Sequence, residues 1–170
     1  KSRKSKNGKV SLTDVIEESE KIFVERINIR GNSMELKLSI NPGKAESMGI
    51  KVYASADGQE ETVLTYYPSK NEFTLDFANS SLNNEYMEGY LWEKDKIQKA
   101  RLSLVGKENL DLRIFIDRSV IEVFVNEKLA LVQRIYPVKK ESDQVILFSN
   151  GGSIHVPILE SWKLHPSNPY

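Results

Sequence analysis

The chain has 170 residues, enough for one domain with its own hydrophobic core, since a chain near this size buries roughly 70% of its unfolded surface. Lys plus Arg is 24 and Asp plus Glu is 24, so the balance of charge gives no footprint for nucleic acid and no reason to seek an anionic membrane. The absence of Cys excludes disulfides, thiolate nucleophiles and thiolate metal sites, and the longest apolar runs are far too short to span a bilayer.

Residues 1–10, KSRKSKNGKV, are basic and polar and read as a loose linker or a severed end. No Met opens the chain, and the expectation is a fragment whose N-terminal part lies elsewhere. Residues 11–21, SLTDVIEESEK, predict a short helix with Ser11 as cap and Leu12, Val15 and Ile16 on a weakly apolar face. From Phe23 the hydrophobic period changes to two. Met34, Leu36, Leu38 and Ile40 alternate with Glu35, Lys37 and Ser39, the pattern of a half-buried strand. Asn41-Pro42-Gly43 marks a turn. A strand over residues 49–55 should then point Ile50 and Val52 inward. Asp57-Gly58 reads as a two-residue hairpin turn returning through residues 62–67. Phe73, Leu75 and Phe77 share one side of a short strand. Residues 78–98 are less regular, and 99–105 are again extended, with Leu102 and Leu104 on one side.

The best alternation in the chain is Leu110, Leu112, Ile114 and Ile116, followed after Arg118-Ser119 by Ile121, Val123 and Val125. Further extended runs cover 129–136, 144–148 and 153–164, the last two joined by Gly151-Gly152. About ten to twelve short strands at roughly 8–12-residue spacing, with one short N-terminal helix, predict an all-β fold. The favoured architecture is a two-sheet antiparallel β-sandwich of the concanavalin or jelly-roll kind, with a barrel as the other all-β solution. The organisation expected is a linker with the helix over 1–22, the sandwich over 23–165 and a tail over 166–170.

Residues 112–137, LRIFIDRSVIEVFVNEKLALVQRIYP, resemble the signature of the C-terminal domain of glycoside hydrolase family 32. That family includes invertases, levanases, inulinases and fructan exohydrolases. Leu112 to Asn126 follow its pattern nearly throughout, and Arg134-Ile135-Tyr136-Pro137 match its end. Residues 48–52 (MGIKV), 73–76 (FTLD) and 159–164 (LESWKL) resemble flanking family strands. Two departures stand out: Phe77 where the family often has Arg, and Asn126-Glu127-Lys128 where it often has a Gly-containing turn. The resemblance implies a non-catalytic module that supports an N-terminal five-bladed β-propeller and in some members helps dimers form. Its signature residues here are Asp117, Arg118, Ser119, Glu122, Arg134, Tyr136 and Trp162. The catalytic motifs of the family, W-M-N-D-P-N-G, R-D-P and E-C, do not occur. The setting implied is secretion or export to the periplasm of a bacterium.

The residues themselves support a structural reading of this stretch. Alternate β-branched side chains would enter a core from two strands, and Asp117 and Ser119 suit a corner where their side chains bond nearby backbone. The odd, three-residue turn at 126–128 puts Glu122 and Arg134 on one face, where an ion pair would contribute about 1 kcal/mol or less. Asp117 and Glu122 as a catalytic carboxylate pair is the reading rejected: retaining glycosidases hold such groups about 5 Å apart, and five residues across a corner set no such distance. His155 and His165 fit no zinc spacing, and neither a cofactor nor a metal is expected. Carbohydrate binding is the rival function. Tyr86, Tyr90 and Trp92 are the candidate stacking residues, with Tyr66 and Tyr67 a second pair. Fructan, the propeller and a second copy of the chain are the expected partners. Trp162 is expected in the core.

Overall fold

The computed structural model describes residues 5–6, 23–89 and 95–165. The helix expected over 11–21, the aromatics Tyr90 and Trp92 and the tail 166–170 lie outside the described residues. In chain order the strands are β1 Ser5–Lys6, β2 Phe23–Arg30, β3 Ser33–Asn41, β4 Ser47–Ala54, β5 Thr62–Tyr67, β6 Glu72–Asp76, β7 Ile97–Arg101, β8 Leu110–Asp117, β9 Val120–Val125, β10 Leu129–Arg134, β11 Gln144–Asn150 and β12 His155–Lys163. A short helix, α1, covers Asn84–Gly89 in the stretch that reads as irregular.

Among the described residues the strands form two six-stranded sheets, ordered β1-β12-β3-β8-β9-β10 and β2-β11-β4-β5-β6-β7. Every strand pairing is antiparallel. The chain therefore adopts the antiparallel sandwich that its period-two segments predict. The inner rows of the first sheet show why. Leu38 lies opposite Leu112, and Leu112 opposite Val125; Leu36 lies opposite Ile114, and Ile114 opposite Val123. Each row places apolar side chains from neighbouring strands on one face, where they exclude water together. Ile50, Val52, Leu64, Phe73 and Leu75 of the second sheet, none of them exposed, complete the same core cluster.

Three features of the second sheet depart from simple alternation. In β4, Lys51 pairs with Ile146 but Ala54 pairs with Gln144, so one extra residue is inserted on the β4 side. Tyr53 occupies this bulge at φ 50°, and its phenol reaches across to donate to the Val120 carbonyl at 3.2 Å. The bulge re-aims a side chain, as such insertions do, and ties the second sheet to the β8–β9 corner of the first. The hairpin between β4 and β5 forms as expected, but its loop spans residues 55–61 rather than the two residues Asp57-Gly58. The turn itself closes with Gly58 N donating to Ser55 O at 3.1 Å. The extra length carries Glu60 into the protein. Finally, β7 stops at Arg101, short of the run predicted to Val105; Leu102 still donates to Asn71 O at 2.8 Å and is buried in the core.

Gln98 and Gln133 join the two sheets at one open side. Gln98 Nε2 donates to Gln133 Oε1 at 2.7 Å and to the Val132 carbonyl at 3.0 Å. This pairing links β7 to β10, the end strands of the two sheets.

Candidate functional site

The signature stretch forms β8, β9 and β10. Leu112, Ile114 and Ile116 point into the core from β8, and Ile121, Val123 and Val125 do so from β9. A two-residue turn at Arg118-Ser119 joins these strands, since Asp117 pairs with Val120. Arg118 takes φ 54° there, a conformation that an L residue enters at some cost. The corner is fixed by backbone bonds: Arg118 N donates to Asn32 O at 2.6 Å and Ile135 N to Ser119 O at 2.9 Å. The side-chain bonds expected from Asp117 and Ser119 are not made among the described residues, because the backbone of two neighbouring loops already satisfies the turn.

At the other end of β9, Asn126 and Glu127 both adopt positive φ. The three-residue turn closes with Lys128 N donating to Val125 O at 2.9 Å. Asn126 accepts from Asp111 N at 3.0 Å and donates to Asn109 O at 2.7 Å, which is why Asn serves where Gly is common.

Glu122 lies opposite Phe115 on one side and Val132 on the other. It shares the outer face with Arg134, as the turn length predicts, but the register offsets them by two residues and no ion pair forms between them. Arg134 Nη1 instead donates to the Tyr136 hydroxyl at 3.3 Å. Tyr86, on α1, donates its hydroxyl to the Arg134 carbonyl at 2.8 Å. Its ring meets that of Tyr136 edge-on, with centroids 4.7 Å apart. One candidate stacking residue is thus packed against two signature residues. Tyr66 is buried in the core, and Tyr67 lies under the Lys70 ammonium at 4.8 Å, so these two do not form a stacking pair. Trp162 is not in the core either. It lies opposite Glu35 on the outer face of the first sheet, because Leu159 is the residue that faces inward, opposite Leu38.

A cleft of about 1170 Å³ opens at the β8–β9 corner, between Asp117–Val120 and residues 135–140, with Tyr53 at its back. Burial, and then the charge of Asp117, push the Tyr53 phenol well above its ordinary pKa, so it stays protonated and holds its bond to Val120. The wall formed by residues 135–142 is pinned by Glu60, which is fully buried. One carboxylate oxygen accepts from Leu82 N at 2.9 Å and Val138 N at 2.7 Å; the other accepts from Lys139 N at 3.0 Å and Ser142 Oγ at 2.6 Å. Burial alone would raise its pKa, but these four bonds to the anion outweigh it and hold the pKa below the usual glutamate value. Sequence reasoning missed Glu60 because nothing in QEET distinguishes a buried carboxylate from a solvated one. Lys139 also pairs with Asp57, whose pKa is held down first by that bond and then by Ser55.

Other carboxylates tie strands and loops together. Glu35 pairs with Arg113 at 2.8 Å, Lys51 with Glu61 at 2.7 Å and Lys128 with Glu108 at 2.7 Å. His155 and His165 are exposed. Among the described residues no group of three or more His, Asp and Glu side chains is placed to hold a metal ion.

A family model described as Glycosyl hydrolases family 32 C terminal matches residues 1–165. The chain belongs to this family. Fructan 6-exohydrolase of Triticum aestivum is 29% identical to this family 32 C-terminal domain over 136 residues, covering 72% of the chain and 22% of the wheat protein. Beta-fructofuranosidase 1 of Zea mays is 26% identical over 136 residues, covering 72% of the chain and 19% of the maize protein. The crystal structure of exo-inulinase from Aspergillus awamori superposes with a TM-score of 0.68 at 22% identity, over 97% of this chain and 29% of that one. The domain therefore spans about a fifth of each curated relative it matches, and its sandwich is the C-terminal sandwich of family 32 enzymes.

Proposed function

We propose that this domain is a non-catalytic brace. It packs against an N-terminal five-bladed propeller that carries the reacting carboxylates of a β-fructosidase acting on sucrose or fructan. The observation that carries the reading is one of extent: the family model matches residues 1–165, yet the chain covers only 19% and 22% of the two curated relatives and 29% of the exo-inulinase. The chemistry of the domain supports it. Glu60 holds three loops together, and Glu35, Glu61 and Glu108 are ion-paired in place. Hydrolysis by two carboxyls needs an acid and a nucleophile or base facing one sugar. Asp117 and Glu122 face outward, Asp117 at the end of β8 and Glu122 within β9.

The test is incubation of the purified chain with sucrose, inulin and levan, followed by assay of free fructose. The brace reading predicts release no greater than in the protein-free blank. Fructose release that survives repurification and is lost on Asp117→Asn or Glu122→Gln would overturn it.

A further inference from the structure

The outer face of the first sheet carries a second feature, independent of the corner cleft: a groove of about 1040 Å³ running across β12, β3, β8 and β9. Its floor follows from register. One row reads Trp162, Glu35 and Phe115 across three strands; the next reads Glu160, Lys37, Arg113 and Phe124 across four. Four strands spaced by about 4.8 Å give a floor of about 14 Å, longer than one sugar ring. A soluble sheet face covered only by water would carry polar residues at such positions. Here Phe124 is 42% exposed and Ile158 39%. Phe115 and Phe124 meet edge-on with centroids 6.0 Å apart, which leaves ring surface turned to the groove.

The polar groups between the rings are fixed rather than loose. Glu35 is only 2% exposed and is held by Arg113 Nε at 2.9 Å and Nη2 at 2.8 Å. The guanidinium also lies 5.1 Å from the Phe115 ring centroid and remains half exposed, with N–H donors to spare. Asp111 accepts from Ser39 Oγ at 2.5 Å, and Ser39 accepts from Asn109 Nδ2 at 3.0 Å. Held polar groups of this kind lose little freedom when a ligand arrives.

We infer that this groove binds an extended chain of neutral sugar units. The match is one of charge and donor type. Arg113 offsets Glu35 and Lys128 offsets Glu108, which leaves Asp111, Glu127 and Glu160 against Lys37 among the lining residues, so the groove is rich in acceptors and carries net negative charge. An uncharged polyol brings hydroxyl donors to Asp111, Glu127 and Glu160, accepts from Arg113, and lays its C–H surface on the aromatic rings. The site lies on the sheet, and not in the Tyr86 region, where the ring is committed to Tyr136. The groove stands on its own geometry; only the choice of fructan as probe rests on family membership.

The experiment is affinity electrophoresis and isothermal titration of the full chain with levan, inulin and dextran. Wild type is compared with Phe124→Ala and Trp162→Ala, and thermal unfolding and sedimentation are measured on each. The expected result is saturable binding to a fructan, weakened about tenfold by Phe124→Ala with an unchanged unfolding midpoint. No binding to any glycan by folded wild type overturns the inference, as does binding that both variants retain. A dimer at assay concentration that Phe124→Ala dissociates, with no sugar dependence, also overturns it and makes the face an interface between copies. None of these results bears on fructose release or on stabilisation of a propeller, so the brace reading stands or falls separately.

Discussion

Glu60→Gln is the substitution whose consequence follows most directly from the structure. The wild-type carboxylate accepts four hydrogen bonds, two on each oxygen, from two segments far apart in sequence, Leu82 and residues 138–142. The amide keeps the shape but presents an NH₂ group where one oxygen stood, so two donors meet a donor. A bond to a charged acceptor contributes about 1.5–3 kcal/mol, and a buried donor left unpaired costs about 1–3 kcal/mol. Leu82 and Val138 are exposed and can recruit water, whereas Ser142 is 3% exposed and cannot readily do so. The loss should therefore be about 2–4 kcal/mol, measured by urea unfolding at neutral pH with the m-value unchanged. The pH dependence has a definite sign. The folded carboxylate binds a proton less readily than the unfolded one. Its stabilisation is thus fully present above the unfolded glutamate pKa of about 4.3 and is lost as pH falls through the lower folded value. Glu60→Gln should flatten that acid limb. A variant within about 0.5 kcal/mol of wild type, with the same acid limb, would refute the reasoning.

Other perturbations test different parts of the account. A Cβ at Gly49 would collide with the backbone carbonyl group of Leu64 on the paired strand. Gly49→Ala must push two paired strands apart and should cost about 3 kcal/mol or more, visible as a lowered thermal midpoint or insoluble expression. Ile114→Ala removes a fully buried side chain from the centre of the core and should cost about 2–5 kcal/mol in the same urea assay. Asp57→Asn alters an exposed carboxylate and should shift the urea midpoint far less than Glu60→Gln, despite the strongly lowered pKa.

Much of the fold was legible because burial on one face leaves a period of two. Leu110 to Ile116 and Ile121 to Val125 show that period on either side of the Arg118-Ser119 turn, and their inward residues are those expected. The parity of Glu122 and Arg134 followed in the same way from a three-residue turn. Features that depend on two segments distant in sequence were not legible. Tyr53 lies in a bulge whose insertion appears only against β11. Glu60 owes its burial to residues 82 and 138–142, and Gln98 meets Gln133 across the two sheets. Trp162 shows the limit of reading by hydrophobicity. The strand alternates Ile158, Glu160 and Trp162 with Leu159, Ser161 and Lys163, and size favours the first set for the core. Pairing of Leu159 with Leu38 selects the second, and the outward Trp162 contributes to the groove.

The central claim is mechanical, so its most direct test is calorimetric. A family 32 enzyme that carries this domain should be scanned with the domain present and with it deleted, following the unfolding of the proposed propeller. An interface of the size usual between domains, about 600–1,500 Å², predicts that deletion lowers the propeller's midpoint by about 5 °C or more while leaving its catalytic carboxylates in place. An unchanged midpoint and an unchanged inactivation half-life after deletion would contradict the account.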